Sequence, residues 1–254
     1  MKKTHWLLIF IGGIILWAGM ILCCLIVLQF GSESFSREEL ISSSEESYQF
    51  DPYNVHEPGN GNSFFIQVPY SEEWPTPVFT DLAWQQEDYF FLIDLFMKHI
   101  LHENRADWRI VGISSAHLCS DPDGLSDLTI TIQKRVLSAN DNYRIETLVN
   151  ILPQSGSIRL RKLEYAPDEG GDRTIRWDDI KIPAEQALLI ADENGGSVVR
   201  QALNAQCRIV IGLKAGIQGN DWRIRYEPIN QPSVFEIAVD ERTGKYRILR
   251  EFEK

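Results

Sequence analysis

The sequence predicts an α+β protein: an amino-terminal transmembrane helix, then two tandem units, each a helix followed by a four-stranded antiparallel sheet. Three observations carry that reading. An apolar run without a charged residue fills 6–30. Stripes of apolar residues at three- and four-residue spacing then occur twice, near 81–104 and 182–204. Each is followed by short alternating runs separated by turn residues. The boundaries follow: a cytoplasmic tail over 1–5, the span over 6–30, a flexible stalk over 31–62, a first unit over 63–166 and a second over 178–252.

The run WLLIFIGGIILWAGMILCCLIVLQF has 25 residues. At about 1.5 Å per residue it is long enough to cross a hydrocarbon core of about 30 Å. Lys2 and Lys3 precede it, whereas Glu33, Glu38, Glu39, Glu45 and Glu46 follow against Arg37. Positive charge is retained on the cytoplasmic side, so residues 31–254 are expected outside. A cleaved signal peptide is the alternative. Against it, the run exceeds the roughly 7–15 residues of a signal core and no A-x-A-like site closes it. Trp6 reads as an interfacial anchor. Cys23 and Cys24 follow Leu22, where a lipoprotein signal would carry a small residue, and are read as small apolar side chains.

With 24% charged residues and a net charge of −11, the chain lacks the basic balance that nucleic-acid phosphates require. Past the stalk, roughly 190 residues remain, enough for one sizeable core or two small ones. Cys119 and Cys207 are the two cysteines outside the span. An extracytoplasmic location permits a disulfide, but two cysteines make no framework, and they are read as isolated buried thiols.

Residues 31–62 combine Ser, Glu, Gly, Pro and Asn without a sustained period, which is why they read as a stalk. Phe64 to Val68 is a short extended run stopped by Pro69, and Trp74-Pro75-Thr76-Pro77 cannot be helical. Asp81 is the expected N-cap of a helix whose Tyr89, Leu92, Ile93, Phe96 and Ile100 share one face. Phe90, Phe91, Leu95, Met97 and Leu101 widen that stripe, predicting deep burial or a second apolar partner. His99 and His102, with Glu103, close the helix and read as interacting with its carboxyl-end dipole rather than with a metal.

Four runs follow: 108–113, 128–132, 143–152 and 158–163, with turns at Asp121-Pro122-Asp123-Gly124 and Pro153-Gln154-Ser155-Gly156. They predict an antiparallel meander with one solvated face. After a loop at 167–173, Pro183 opens a second helix with Ala184, Ala187, Leu188 and Ala191 on one face. Gly195-Gly196 weaken it, yet Val198, Val199 and Ala202 continue the same face, so the helix is expected to run through them. Runs at 207–211, 222–226, 234–239 and 246–249 make a second meander.

The two passes align at Trp108-Arg109-Ile110-Val111 with Cys207-Arg208-Ile209-Val210, at Asp127-Leu128-Thr129-Ile130 with Asp221-Trp222-Arg223-Ile224, and at Gly156 with Gly244, which suggests an internal duplication. The second copy has an Ala-rich helix start (Pro183-Ala184-Glu185-Gln186-Ala187), a Trp-x-x-x-Tyr strand (Trp222 to Tyr226) and a closing hairpin whose Asp240-Glu241-Arg242-Thr243-Gly244 turn is built from Asx and glycine chemistry. In these features it resembles the PepSY-type family of extracytoplasmic domains. That resemblance implies a cystatin-like helix-on-sheet unit acting as an inhibitory, binding or adaptor module, with no catalytic residues. The first copy departs from it at Leu152-Pro153-Gln154-Ser155-Gly156, which has no leading acid.

No G-x-S-x-G elbow, H-E-x-x-H, Walker loop or Rossmann glycine pattern occurs. Adjacent acids such as Asp178-Asp179 read as solvated. The sequence therefore predicts a single-pass, membrane-anchored extracytoplasmic binding or adaptor module, non-catalytic, with no catalytic, cofactor-binding or metal residues. Its expected partners are membrane lipid along 6–30 and a protein or peptide outside. The alternative is an envelope hydrolase or metal-dependent enzyme of unfamiliar type, which would require Asp, Glu and His from different strands to converge in one pocket.

Overall fold

A strand whose side chains alternate between core and solvent still has two backbone edges to satisfy, and in this protein those edges decide the architecture. The computed structural model describes residues 40–55, 64–71, 73, 75–79, 82, 84–120, 127–137, 142–165, 173–215, 220–229 and 231–252. Leu40–Lys254 is one unit, and the expected tail, the membrane helix over 6–30 and residues 31–39 lie outside the described residues. Among the described residues no helix is long and apolar enough to cross a membrane.

The strands are β1 (Leu40–Gln49), β2 (Ile66–Val68), β3 (Arg109–Leu118), β4 (Leu128–Leu137), β5 (Asn142–Leu152), β6 (Ser157–Tyr165), β7 (Cys207–Lys214), β8 (Asp221–Pro228), β9 (Phe235–Asp240) and β10 (Tyr246–Arg250). They form one antiparallel sheet of ten strands in the order β10-β9-β8-β7-β3-β4-β5-β6-β1-β2. The expectation of two tandem units with separate four-stranded sheets is therefore overturned. Both meanders exist, but the first strand of each pairs with the first strand of the other, Gly112 opposite Lys214 through Leu118 opposite Arg208. Alternation reports which face of a strand is buried and is silent about which edges join.

Just past this ladder, Cys119 N–H donates to the Cys207 carbonyl at 2.9 Å. The two cysteines have Cα atoms 5.2 Å apart and form a disulfide across 88 residues of sequence. The isolated-thiol reading is corrected accordingly. Each cysteine ends a buried stripe of its own strand, and the register brings those ends together.

The stalk is corrected too, since its residues 40–49 form β1, paired with β6 along its length and with β2 at Ser47 to Gln49. Its polar composition reflects an outer strand with mostly exposed side chains, where Glu45 meets Arg161 at 3.3 Å. Tyr48 and Phe50 are buried.

Helix α1 spans Gln86–Phe96 and runs into a π-turn, Met97–Leu101, ending at His102 with φ 53°. It begins later than expected. Asp81 lies outside the described residues, and Asp88 supplies the cap by accepting from the Gln85 N–H at 2.8 Å. Tyr89, Leu92, Ile93, Phe96 and Met97 are almost wholly buried, with the Phe96 ring edge-on to Tyr48 at 5.1 Å and Phe65 at 5.3 Å. These contacts tie β1 and the β2 region to the helix.

Helix α2 (Ala184–Ala191) passes through a π-turn, Asp192–Gly196, into α3 (Ser197–Ala202). The expected continuation holds as helix rather than strand but is kinked, because Gly195 has φ 125°. The Phe235 ring lies 3.0 Å from where a Gly195 Cβ would sit, and a Cβ on Gly196 would run into the Tyr226 hydroxyl. The kink is thus set by aromatic residues of β8 and β9. Tyr226 donates to Asp192 Oδ1 at 2.6 Å, and Asp192 also holds Arg200 at 2.5 Å.

The helices cap each other. Buried Gln86 accepts from the Ala184 N–H through its Oε1 at 2.9 Å, while Glu185 Oε2 accepts from the Gln86 N–H at 3.4 Å. Helix starts leave N–H groups without intrahelical partners, and here each first turn supplies an acceptor to the other.

Two outcomes are expected in urea unfolding of the full chain. Gln86→Ala strips a buried N–H of its acceptor and lowers stability by about 1–3 kcal/mol. Cys119→Ser with Cys207→Ser lowers it by up to about 4–5 kcal/mol, as expected for opening a loop of this length.

Candidate functional site

α1 and α2 lie on one face of the sheet, where Trp222 donates through Nε1 to the Ile182 carbonyl at 2.8 Å and Tyr226 reaches Asp192. The opposite face carries the other residue of each pair. Across its middle, over β5-β4-β3-β7-β8-β9, runs a trough of about 730 Å³.

Its floor is the seam between the meanders, made of Gly112, Ser114, Val210 and Gly212. Register puts Ser114 directly opposite Gly212 and Gly112 opposite Lys214, so three of these four positions carry little or no side chain. Packing does not force these glycines. A Cβ at Gly112 would stand 3.4 Å from the Leu213 carbonyl, and one at Gly212 would stand 3.5 Å from that of Ile113, both ordinary contacts. The glycines empty the floor and expose backbone to an occupant.

One wall carries hydroxyls, Thr129 and Thr131, with Glu146 beyond them; Thr129 donates to Asn150 Oδ1 at 2.7 Å. The other carries Arg223, Arg225, Lys214, Asp221 and Glu236. Glu227 sits between two guanidinium groups, 2.7 Å from Arg208 and 3.4 Å from Arg225, and Arg247 meets Asp221 at 2.5 Å. The arginines of these pairs are about half exposed while Glu227 and Asp221 are mostly covered, so the acids hold the guanidinium groups in place at the solvent face. The trough can hold an extended chain by backbone and hydroxyl contacts along its floor and by charged contacts at its wall.

A second cleft of about 810 Å³ lies at the end of α1, lined by Asp94, Lys98, His102, Glu103, Arg105, Arg109, Arg176 and Trp177 among others. Its charges are mostly spent internally. Asp94 holds Arg105 at 2.8 Å, Arg105 lies over the Trp177 ring, and Glu103 holds Lys134 at 2.5 Å. His102 lines this cleft, and among the described residues no group of His, Cys, Asp and Glu is placed to hold a metal.

The convergence that an enzyme would require takes a different form. Ser115 and Asp127 meet at the seam, Ser115 donating to Asp127 Oδ1 at 3.4 Å and the Ala116 N–H to the same oxygen at 3.2 Å, with His117 two residues further along β3. Ser115 and His117 are buried, and none of the three lines either cleft. Burial raises the Asp127 carboxyl above its ordinary value near 3.8, against the lowering effect of its two hydrogen bonds. Sequence motifs missed both this cluster and the trough. For the trough the one available signal was glycine within each first strand, at Gly112 and Gly212, where a strand interior otherwise disfavours it.

Comparison with protein-family models, curated proteins and solved structures finds no match to this chain.

A carboxyl whose folded-state pKa is raised favours folding below the unfolded value and loses that contribution as pH rises through the folded value. Asp127→Asn should therefore gain stability relative to the unsubstituted chain as pH is raised from below 3.8 towards neutrality. Thermal unfolding across that range checks it, and a pH-independent difference would contradict it.

Proposed function

We propose that this protein is a single-pass, membrane-anchored, extracytoplasmic binding or adaptor module, non-catalytic, which holds a protein or peptide in the trough on the open face of its sheet. The observation that carries the reading is the emptied floor: Gly112, Ser114 and Gly212 clear a concave strip at the centre of a sheet whose other face is covered by helices. A purely structural sheet gains from filling such positions with β-branched side chains.

Two further features support it. The Cys119–Cys207 disulfide suits an oxidising compartment, which agrees with an outward-facing region behind a span over 6–30. The hydroxyl wall and the charged wall offer fixed polar contacts, and the buried Ser115 and His117 and the half-buried Asp127 line neither cleft. The resemblance of residues 178–252 to PepSY-type domains points to the same class of activity.

Gly212→Val fills the floor where a Cβ has room, so the unfolding midpoint should move little while binding is lost. The measurement is site-specific photocrosslinking in native membranes from Thr131 and Val210, with exposed Leu189 of α2 as the control site. A discrete adduct from the trough positions, absent from Leu189 and abolished by Gly212→Val, is expected. Adducts indifferent to Gly212→Val would contradict the proposal. Protease added to intact cells should digest the region after residue 40, and its protection would overturn the topology.

A further inference from the structure

We infer that β10 is a second docking surface, at which an extended segment of a partner protein, apolar on one side and acidic on the other, adds to the sheet as an eleventh strand. The inference stands apart from the trough, because it rests on the backbone edge of the sheet rather than on its open face.

Among the described residues β10 is the terminal strand on its side of the sheet and pairs with β9 alone. Asp240 N–H donates to the Lys245 carbonyl at 2.8 Å, which makes that pair a hydrogen-bonded one. Antiparallel pairs alternate, so Tyr246 opposite Val239 and Ile248 opposite Ile237 are the non-hydrogen-bonded pairs. The N–H and C=O groups of Tyr246 and Ile248 consequently point away from β9, along the free edge. An incoming strand needs such groups as partners.

The side chains at this edge match a particular segment. Tyr246 and Ile248 share the helix-facing side with Val239 and Ile237, yet they are 49% and 43% exposed, far more than a sheet interior leaves open. Ile182 and Ile190, beside the hairpin at Gly244, extend the apolar strip. On the opposite side, Arg247 lies across from Ala238 and Arg250 from Glu236. Arg247 holds Asp221 with one nitrogen and Arg250 donates from one nitrogen to the Ser233 carbonyl, yet both side chains stay exposed with further N–H groups to offer, and β10 contains no acid. A partner strand laid here places alternate side chains over Tyr246 and Ile248 and the intervening ones beside two guanidinium groups. The first set must be apolar to cover that surface, and the second acidic to meet its charge. The register shift at Leu249 bends the end of β10 and limits the augmented stretch to its first residues.

The test uses the full chain in lipid nanodiscs and fluorescence anisotropy with two short peptides, one alternating valine and glutamate, the other valine and lysine. The glutamate peptide is expected to bind at least about tenfold more tightly, a difference of about 1.4 kcal/mol. Ile248→Pro removes an edge-facing N–H that β9 does not use and should weaken that binding at least about tenfold. Arg250→Glu, an exposed change that leaves the backbone intact, should reverse the preference between the peptides. Gly212→Val should leave both affinities unchanged. Equal binding of the two peptides, binding of neither, or a glutamate-peptide affinity indifferent to Ile248→Pro and Arg250→Glu would overturn the inference. So would self-association through β10, read by sedimentation and abolished by Ile248→Pro, since a second copy would then be the occupant.

Discussion

The antiparallel pairing of β3 with β7 is the interaction on which the rest of this protein depends. Each meander on its own would leave the outer edge of its first strand unsatisfied, a row of N–H and C=O groups with no partner in its own half. The two rows satisfy each other from Gly112 and Lys214 to Leu118 and Arg208, and the Cys119–Cys207 disulfide secures the end of the ladder. On the helix-facing side the same junction is held by the reciprocal bonds of Gln86 and Glu185. Hydrogen bonds, a covalent link and mutual helix capping thus act across one seam, each joining residues far apart in sequence.

The seam also creates the candidate site. A trough centred on β3 and β7 has contributions from both meanders, so neither alone could form it. Its floor is low because Gly112 and Gly212 fall in neighbouring strands at nearly equivalent positions, and its walls differ because the strands beyond them differ, hydroxyl-bearing β4 on one side and arginine-rich β8 on the other. Sites at junctions between structural halves are favoured places for ligands, since concavity arises there without weakening either core.

Much of the local structure was legible in the sequence. Strands β3 to β10 were visible as short β-branched or alternating runs, which in β7 and β8 reflect one buried and one open face, and the Asp240 turn was visible because Oδ1 accepts from the Thr243 N–H at 2.7 Å and Gly244 takes φ 69°. The Gly195-Gly196 interruption was visible as a weakness, whereas its cause, the Phe235 ring and the Tyr226 hydroxyl, comes from strands thirty residues and more downstream. β1 was hidden by its solvent-facing Ser and Glu, which match an unstructured linker in composition. The joining of the sheets was hidden for a deeper reason: strand edges are backbone, and side-chain patterns carry no record of which edge meets which. The trough inherited that difficulty, since its two glycines gain meaning only once the seam places them side by side.

Native-state hydrogen exchange on the intact chain tests the single-sheet account most directly. If β3 and β7 form the centre of one sheet, their amides share the highest protection in the protein and open together in one cooperative event at the global unfolding free energy. Exchange of β7 at the rate of a terminal strand such as β10, or opening of 207–250 as a unit while β3 to β6 stay protected, would show two independent sheets and contradict it.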